Sequence, residues 1–153
     1  WDRVFDGIPT NSFHGDFHFD HIVYDGSENF YLLDWRQNFG GSDVGDVYYD
    51  LAKMYGGIEM NYDLIKKGKF SYIEKNNSIL YKYESRKVLM NKIKHQYEKF
   101  LSLNNFSLKK VEILKCLIYL NMSPLHEYPF DKLLFAHGKY ELFKTLRKYE
   151  YIS

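Results

Sequence analysis

The sequence has a single cysteine, Cys116, so an internal disulfide is excluded. Its setting in the apolar run VEILKCLIYL reads as that of a small buried hydrophobe. No apolar stretch approaches the roughly 18 residues of a membrane span, and nothing near the N-terminus has the pattern of a signal peptide. The default expectation is therefore a cytoplasmic chain. Charge of one sign is lacking as well: 21 Lys and Arg stand against 20 Asp and Glu, a formal charge of +1. That balance supplies no field to hold a nucleic-acid backbone, and no nucleic-acid partner is expected. Low-complexity segments and internal repeats are absent, which removes solenoids. GGSDVG has neither the lysine of a phosphate-binding loop nor the spacing of a dinucleotide fingerprint. Ser42 lies in no G-x-S-x-G elbow. An initiator Met is lacking too, and with Trp1 first the chain reads as processed, trimmed or cut from something longer.

What is abundant is aromatic. Tyr (15), Phe (12) and Trp (2) make up 19% of the 153 residues, compatible either with core packing or with an aromatic-walled binding pocket. The length suits one domain with one core. Residues 1–13, with Gly7, Pro9 and Asn11, predict an irregular approach. HIVY (21–24) and NFYLLDW (29–35) flank DGSE (25–28) as a hairpin, and 36–46 reads as a loop. A helix is expected over 47–57, with Val47, Leu51 and Met54 on one face and the paired glycines as its stop. A short helix should break near Gly68, and a second hairpin should turn at KNN (75–77). Ser85 is placed to cap a long amphipathic helix with Val88, Ile93, Tyr97 and Leu101 inward. Ser107 starts another helix, whose apolar run predicts burial from several sides, and a last one is expected from Asp131 to Tyr149. The fold class is α+β, mainly helical, with small β-hairpins.

The chemistry concentrates in residues 14–50. His14, His18 and His21, half of the six histidines, fall together with Asp16, Asp20, Asp34, Asp43, Asp46 and Asp50. H-x3-H-x2-H matches no metallopeptidase spacing, although three imidazoles in a bend can gather a transition metal. Order and distance point elsewhere. An aspartate in H-G-D, a polar residue five positions on, and a second aspartate after a short hairpin is the order that phosphoryl transfer asks for. One carboxylate sits beside the attacking hydroxyl and the other holds a metal between phosphate oxygens.

HGDFHFDHIV, YLLDW and GDVYYDLAKM together resemble the catalytic half of the aminoglycoside phosphotransferase and choline/ethanolamine kinase superfamily. That family commonly reads H-G-D-x-H-x-x-N, then I-D-[WFY], then a helix near Y-D-L-A. The likeness covers roughly residues 12–56 closely, with three ordered motifs at family spacing. LDWRQNFGG and LNMSPLH look closest to bacterial sugar- or capsule-associated members.

The resemblance implies a protein-kinase-like C-terminal lobe over 1–153, with the catalytic loop and metal-binding hairpin at 14–35 and a helical acceptor-side subdomain at 85–149. It implies transfer of the γ-phosphate of ATP, with Mg2+, to a hydroxyl of a small molecule: a sugar, a choline-like alcohol or an aminoglycoside. Asp16 would orient the acceptor hydroxyl, with His14 beside it fixing the loop; Asp34 and His21 would form the metal and nucleotide-phosphate position. Gly15, His18, Asp46 and Asp50 would support the loop, and Trp35, Arg36, Asp43 and Tyr48 would be placed for substrate. Tyr49 and Tyr55 share that last expectation, whereas Lys53, Lys66 and Lys67 read as solvated helix charges. His95, His126 and His137 read as isolated structural or exposed residues.

His21 departs from the family, which has Asn there. It either binds metal as imidazole, marks a weakened site, or is an altered position. Such kinases also carry an ATP-covering N-terminal lobe, and the residues before His14 are too few for one. The expectation is thus a C-terminal portion that needs that lobe as partner, transfers little alone, and exposes a face suited to dimerisation. A kinase-like binding or regulatory domain is the alternative, and a metal-dependent hydrolase the third reading.

Overall fold

The computed structural model describes residues 6–38 and 40–152, so the first part of the irregular approach and Trp1 itself lie outside the described residues. The chain forms β1 (Pro9–Thr10), a 3-10 turn (Phe19–His21), β2 (Ile22–Tyr24), β3 (Phe30–Leu32) and β4 (Gly45–Asp46). Helix α1 (Val47–Glu59), α2 (Tyr62–Lys66), β5 (Phe70–Lys75) and β6 (Ser78–Tyr83) follow. Helices α3 (Lys87–Leu103), α4 (Leu108–Met122) and α5 (Phe130–Lys148) complete it, with a 3-10 turn at Ser123–Leu125. This is a mixed α+β fold, mostly helical, whose described strands pair only in two-stranded antiparallel sheets.

Both hairpins lie where turn chemistry places them. Asp25 Oδ1 accepts from the amides of Ser27 (2.7 Å) and Asn29 (3.3 Å), closing the β2–β3 turn on its own side chain. At the β5–β6 turn Asn76 and Asn77 take positive φ of 47° and 59°, the left-handed pair that a two-residue hairpin loop requires. Within the approach and the loop at 36–46, Pro9–Thr10 pairs with Gly45–Asp46, an element too short to leave a period in the sequence.

Helix α4 is the centre. Val111, Ile113, Cys116, Ile118 and Tyr119 are buried around its circumference, and it packs between α1 and α5. That matches the expectation for its continuous apolar run, Cys116 included. Ser107 Oγ caps it by accepting from Lys110 N at 3.3 Å. Gly56 and Gly57 do not end α1, contrary to the sequence expectation. Tyr119 Oη donates to the Gly56 carbonyl at 2.8 Å, so the glycine serves close approach of α4 while the helix continues to Glu59.

Helix α3 also differs. Ser85 caps nothing; Arg86 precedes the helix and donates its amide to Asn61 Oδ1 at 2.9 Å. Val88 is 77% exposed instead of inward, Ile93 and Tyr97 are half-buried, and only Leu101 is fully buried. The helix touches the core through its C-terminal half, and its first turn lies beyond α1. No helix among the described residues is long and apolar enough to cross a membrane.

Candidate functional site

The site begins where α1 begins. Asp46 Oδ1 caps the helix by accepting from Tyr48 N at 2.9 Å, and it also accepts from Ile8 N at 3.0 Å. The same carboxylate thus ties the incoming strand to the helix start. One turn on, Asp50 turns its carboxylate outward to the loop: Oδ2 accepts from His14 N at 2.6 Å and Oδ1 from Gly15 N at 2.8 Å. Asp46, not Asp50, heads the helix, and Asp50 braces the H-G-D loop from its first turn. Burial pushes the Asp50 carboxyl up, and the two amides offset only part of that. Removing this brace leaves two amides without their acceptor. Asp50→Ala should cost about 2 kcal/mol in urea unfolding, and Asp50→Asn, which keeps one acceptor, about half as much.

The loop closes on its other side against the β2–β3 hairpin. Arg36 N donates to the His14 carbonyl at 2.9 Å and Leu33 N to the His21 carbonyl at 2.9 Å. Gly15 sits at φ +78°, and a Cβ there would lie 2.7 Å from Arg36 Cβ. Only glycine fits, on both counts. His14 is 2% exposed. Its Nδ1 accepts from Asp16 N at 3.2 Å, and its ring stacks on Trp35 with centroids 5.1 Å apart. His14 thus contacts the loop backbone and Trp35 and reaches neither cavity beside Asp16.

Asp16 emerges from this frame into a cleft of about 840 Å³, walled by Tyr49, Tyr62, Phe70 and Phe130 and reached by Asn121 and His126. Lys53 Nζ lies 3.0 Å from Asp16 Oδ1, Arg36 Nη2 3.5 Å from Oδ2, and His18 Nε2 3.7 Å from Oδ1. Burial pushes the Asp16 carboxyl up, but His18 and the charge and hydrogen bond of Lys53 outweigh it and hold the group well below the usual carboxylate range. Asp16 is thus a carboxylate at any physiological pH.

Lys53 lines the cleft, which sequence reasoning missed. It is 6% exposed, not solvated, with Met122 Sδ at 3.0 Å on its other side. The signal was its spacing: three residues beyond Asp50 on a helix, it shares the face that meets the loop. Lys66 is exposed as expected, yet it pairs with Asp20 at 2.6 Å in the cleft wall. His126 also lines the cleft rather than standing apart.

Other predicted substrate residues divide. Tyr48 is buried in the core, its Oη accepting from Ser107 N at 2.9 Å, and Tyr55 is fully buried with Oη donating to Glu98 at 2.6 Å. Neither reaches the cleft, because their helical positions face α3 and α4. Asp43 is exposed and is not among the described residues that line this cleft. Trp35 is half exposed, with Nε1 donating to the Leu32 carbonyl at 3.1 Å, and lines a smaller pocket of about 390 Å³ together with Asp16, His21, Asp34 and Arg36.

That pocket holds the expected metal position. Asp34 takes a positive φ of 56° and is exposed, with Oδ2 3.6 Å from His21 Nε2. Ligand atoms of Asp16, His18 and His21 also lie within 4.8 Å of one another. Hydrogen bonding decides between the two sets. His21 Nδ1 is 2.9 Å from the Asp16 carbonyl, which only accepts, so Nδ1 carries the proton and the Nε2 lone pair is free toward Asp34. His18 Nδ1 accepts from Asp20 N at 3.3 Å, which leaves the proton on Nε2, facing Asp16. In the three-residue set the His18 proton thus points at Asp16, whereas His21 Nε2 and the Asp34 carboxylate face each other.

No family model, no curated protein and no solved structure matches the chain.

Proposed function

We propose that this chain carries the catalytic and acceptor-binding half of a small-molecule phosphotransferase, moving the γ-phosphate of ATP onto a hydroxyl, as its likeness to the aminoglycoside phosphotransferase and choline/ethanolamine kinase superfamily implies. One observation carries the reading: the ionised Asp16 lines both cavities, the large aromatic cleft and the small pocket that contains His21 and Asp34. An acceptor hydroxyl in the first meets a phosphate in the second across one carboxylate. Asp16 then orients the hydroxyl for in-line attack and accepts its hydrogen bond. Its low proton affinity makes positioning, not proton removal, its main contribution. Lys53 and Arg36 hold that carboxylate between them, and Arg36, reaching the small pocket, also presents positive charge to transferring oxygens. The donor set of His21 Nε2 and the Asp34 carboxylate fits a divalent ion, which when bound neutralises phosphate charge.

The cleft also favours one acceptor class. Asp16 is paired with Lys53 and Asp20 with Lys66, so two of its acids already have cations within 3.0 Å. Glu127 is the third acid of the lining, so a polycationic aminoglycoside finds one negative charge there that no such pair among the described residues holds. An uncharged sugar finds aromatic faces with Asn and His groups among them. Titration of isotope-labelled protein with a hexose, choline and an aminoglycoside tests this by NMR. The expected result is saturable shifts at Tyr62, Phe130 and Lys53 with the sugar, at least about fivefold tighter than with either cation. Cleft signals that stay unmoved by all three classes would overturn the reading.

The kinase-like binding domain without chemistry remains a second reading, favoured by the imidazole at His21. It shares the acceptor shifts but predicts no transfer under any divalent ion.

A further inference from the structure

We propose that the ion position between His21 and Asp34 selects a divalent transition ion of the Mn2+ class over Mg2+. This rests on the reading of the small pocket as the metal-bearing side of a phosphotransfer site.

The first support is the tautomer. The 2.9 Å bond from His21 Nδ1–H to the Asp16 carbonyl fixes the proton on Nδ1 and leaves Nε2 as a bare donor. A histidine that donates its other N–H to a backbone carbonyl is held in the arrangement metal-ligating histidines use, with ring orientation set and basicity raised. The ring is also packed: its side chain is 17% exposed, it is stacked on His14 with centroids 5.6 Å apart and tilted at 34° against His18 at 4.0 Å.

The second support is distance. Nε2 and Asp34 Oδ2 stand 3.6 Å apart. Two ligands bonded at about 2.1 Å to one ion sit roughly 3–3.6 Å apart, so the gap accepts a shared ion with little movement. An unmediated hydrogen bond between the two would be shorter.

The third is ligand chemistry. Mg2+ takes oxygen ligands in near-ideal octahedra and gains little from imidazole, whereas Mn2+ and its heavier neighbours accept imidazole nitrogen and still bind carboxylate and phosphate oxygen. Asp34 supplies the oxygen for either. The imidazole of His21 is what shifts the preference.

The test uses the 153-residue chain, with Mn2+ and Mg2+ as the only ligands and no nucleotide or acceptor. Mn2+ binding is read by electron paramagnetic resonance, and Mg2+ affinity by its displacement of Mn2+. Mn2+ should bind at least about tenfold more tightly than Mg2+. His21→Asn should weaken Mn2+ about tenfold while changing Mg2+ less than about threefold, and Asp34→Asn should weaken both. Circular dichroism confirms that each variant folds, and the Asp34 variant keeps the question answerable if the His21 variant does not. Equal affinity for the two ions, or loss of Mn2+ binding on His18→Gln as large as on His21→Asn, would overturn the proposal. Because acceptor titration reads the large cleft without any ion, a failed ion preference and a failed phosphotransferase reading give different results.

Discussion

With an ATP-covering lobe supplied, Asp16→Asn should lower phosphoryl transfer by about a thousandfold, and in the 153-residue chain it should also cost stability. The side chain is nearly isosteric, so the loop geometry survives: His14 N and Gly15 N remain tied to Asp50, and Arg36 N to the His14 carbonyl. What changes is charge. Asparagine orients a hydroxyl less well and presents no anion to it. It also leaves Lys53, whose side chain is 7% exposed, facing a neutral amide and the thioether of Met122 in place of a carboxylate. Breaking one side of a buried pair strands the other, here by about 2–3 kcal/mol. The two effects separate in the double variant Asp16→Asn/Lys53→Met. Urea unfolding should recover most of the lost stability, while transfer to the acceptor stays at the level of Asp16→Asn alone. A double variant no more stable than the single one would mean that Lys53 finds solvent and that the pairing holds little energy. Transfer within about tenfold of the unmodified protein in Asp16→Asn would remove Asp16 from the reaction.

How far such a site can be read from sequence depends on the range of the interactions that build it. Asp16, His21 and Asp34 are legible because a short hairpin connects them, and hairpin chemistry (Asp25, Gly26, Asn29) is local. The brace from Asp50 came from the likeness of the motifs; its geometry spans 36 residues, and no spacing rule gives that. Lys53 was misread because a lysine on an amphipathic helix is usually solvated, and only the tertiary approach of the loop turns it inward. The cleft's far wall shows the same limit. Tyr62, Phe70, Asn121 and Phe130 come from four separate elements and share no motif. Val88 failed for a geometric reason. At about 3.6 residues per turn its 13-residue separation from Leu101 places it about 140° around the helix, off the stripe of Ile93, Tyr97 and Leu101. The paired glycines of α1 carried two meanings, stop and close approach, and Tyr119 selects the second.

Lys115→Met tests another place where this core holds charge. Glu59, at the end of α1, accepts from Lys115 Nζ at 2.5 Å and from Lys94 Nζ at 2.8 Å, which joins α1 to α4 and α3. Burial pushes the Glu59 carboxyl up, but the two ammonium groups outweigh it and leave it below its ordinary value of 4.5. Burial pushes Lys115 down, and Glu59 outweighs that to hold it above 10.5. A carboxyl lowered on folding stabilises above its unfolded value and loses that contribution as acid protonates it. An ammonium raised on folding stabilises below its unfolded value and loses it in alkali. The pair therefore contributes fully between about pH 5 and pH 10. Methionine fills the volume of Lys115 but leaves Glu59 with Lys94 alone, whose side chain is 34% exposed against 3% for Lys115. The expected cost is about 3 kcal/mol at pH 7. As pH falls through the carboxylate range the gap should narrow, because protonated Glu59 no longer needs either cation. Glu59→Gln/Lys115→Met, with no buried charge left on that contact, should recover about half or more of the loss at pH 7 and flatten the acid limb. A gap between Lys115→Met and the unmodified chain that stays constant from pH 7 to pH 3 in urea unfolding would show that the cost lies in packing around Tyr55 and Tyr119, not in the charge of Glu59.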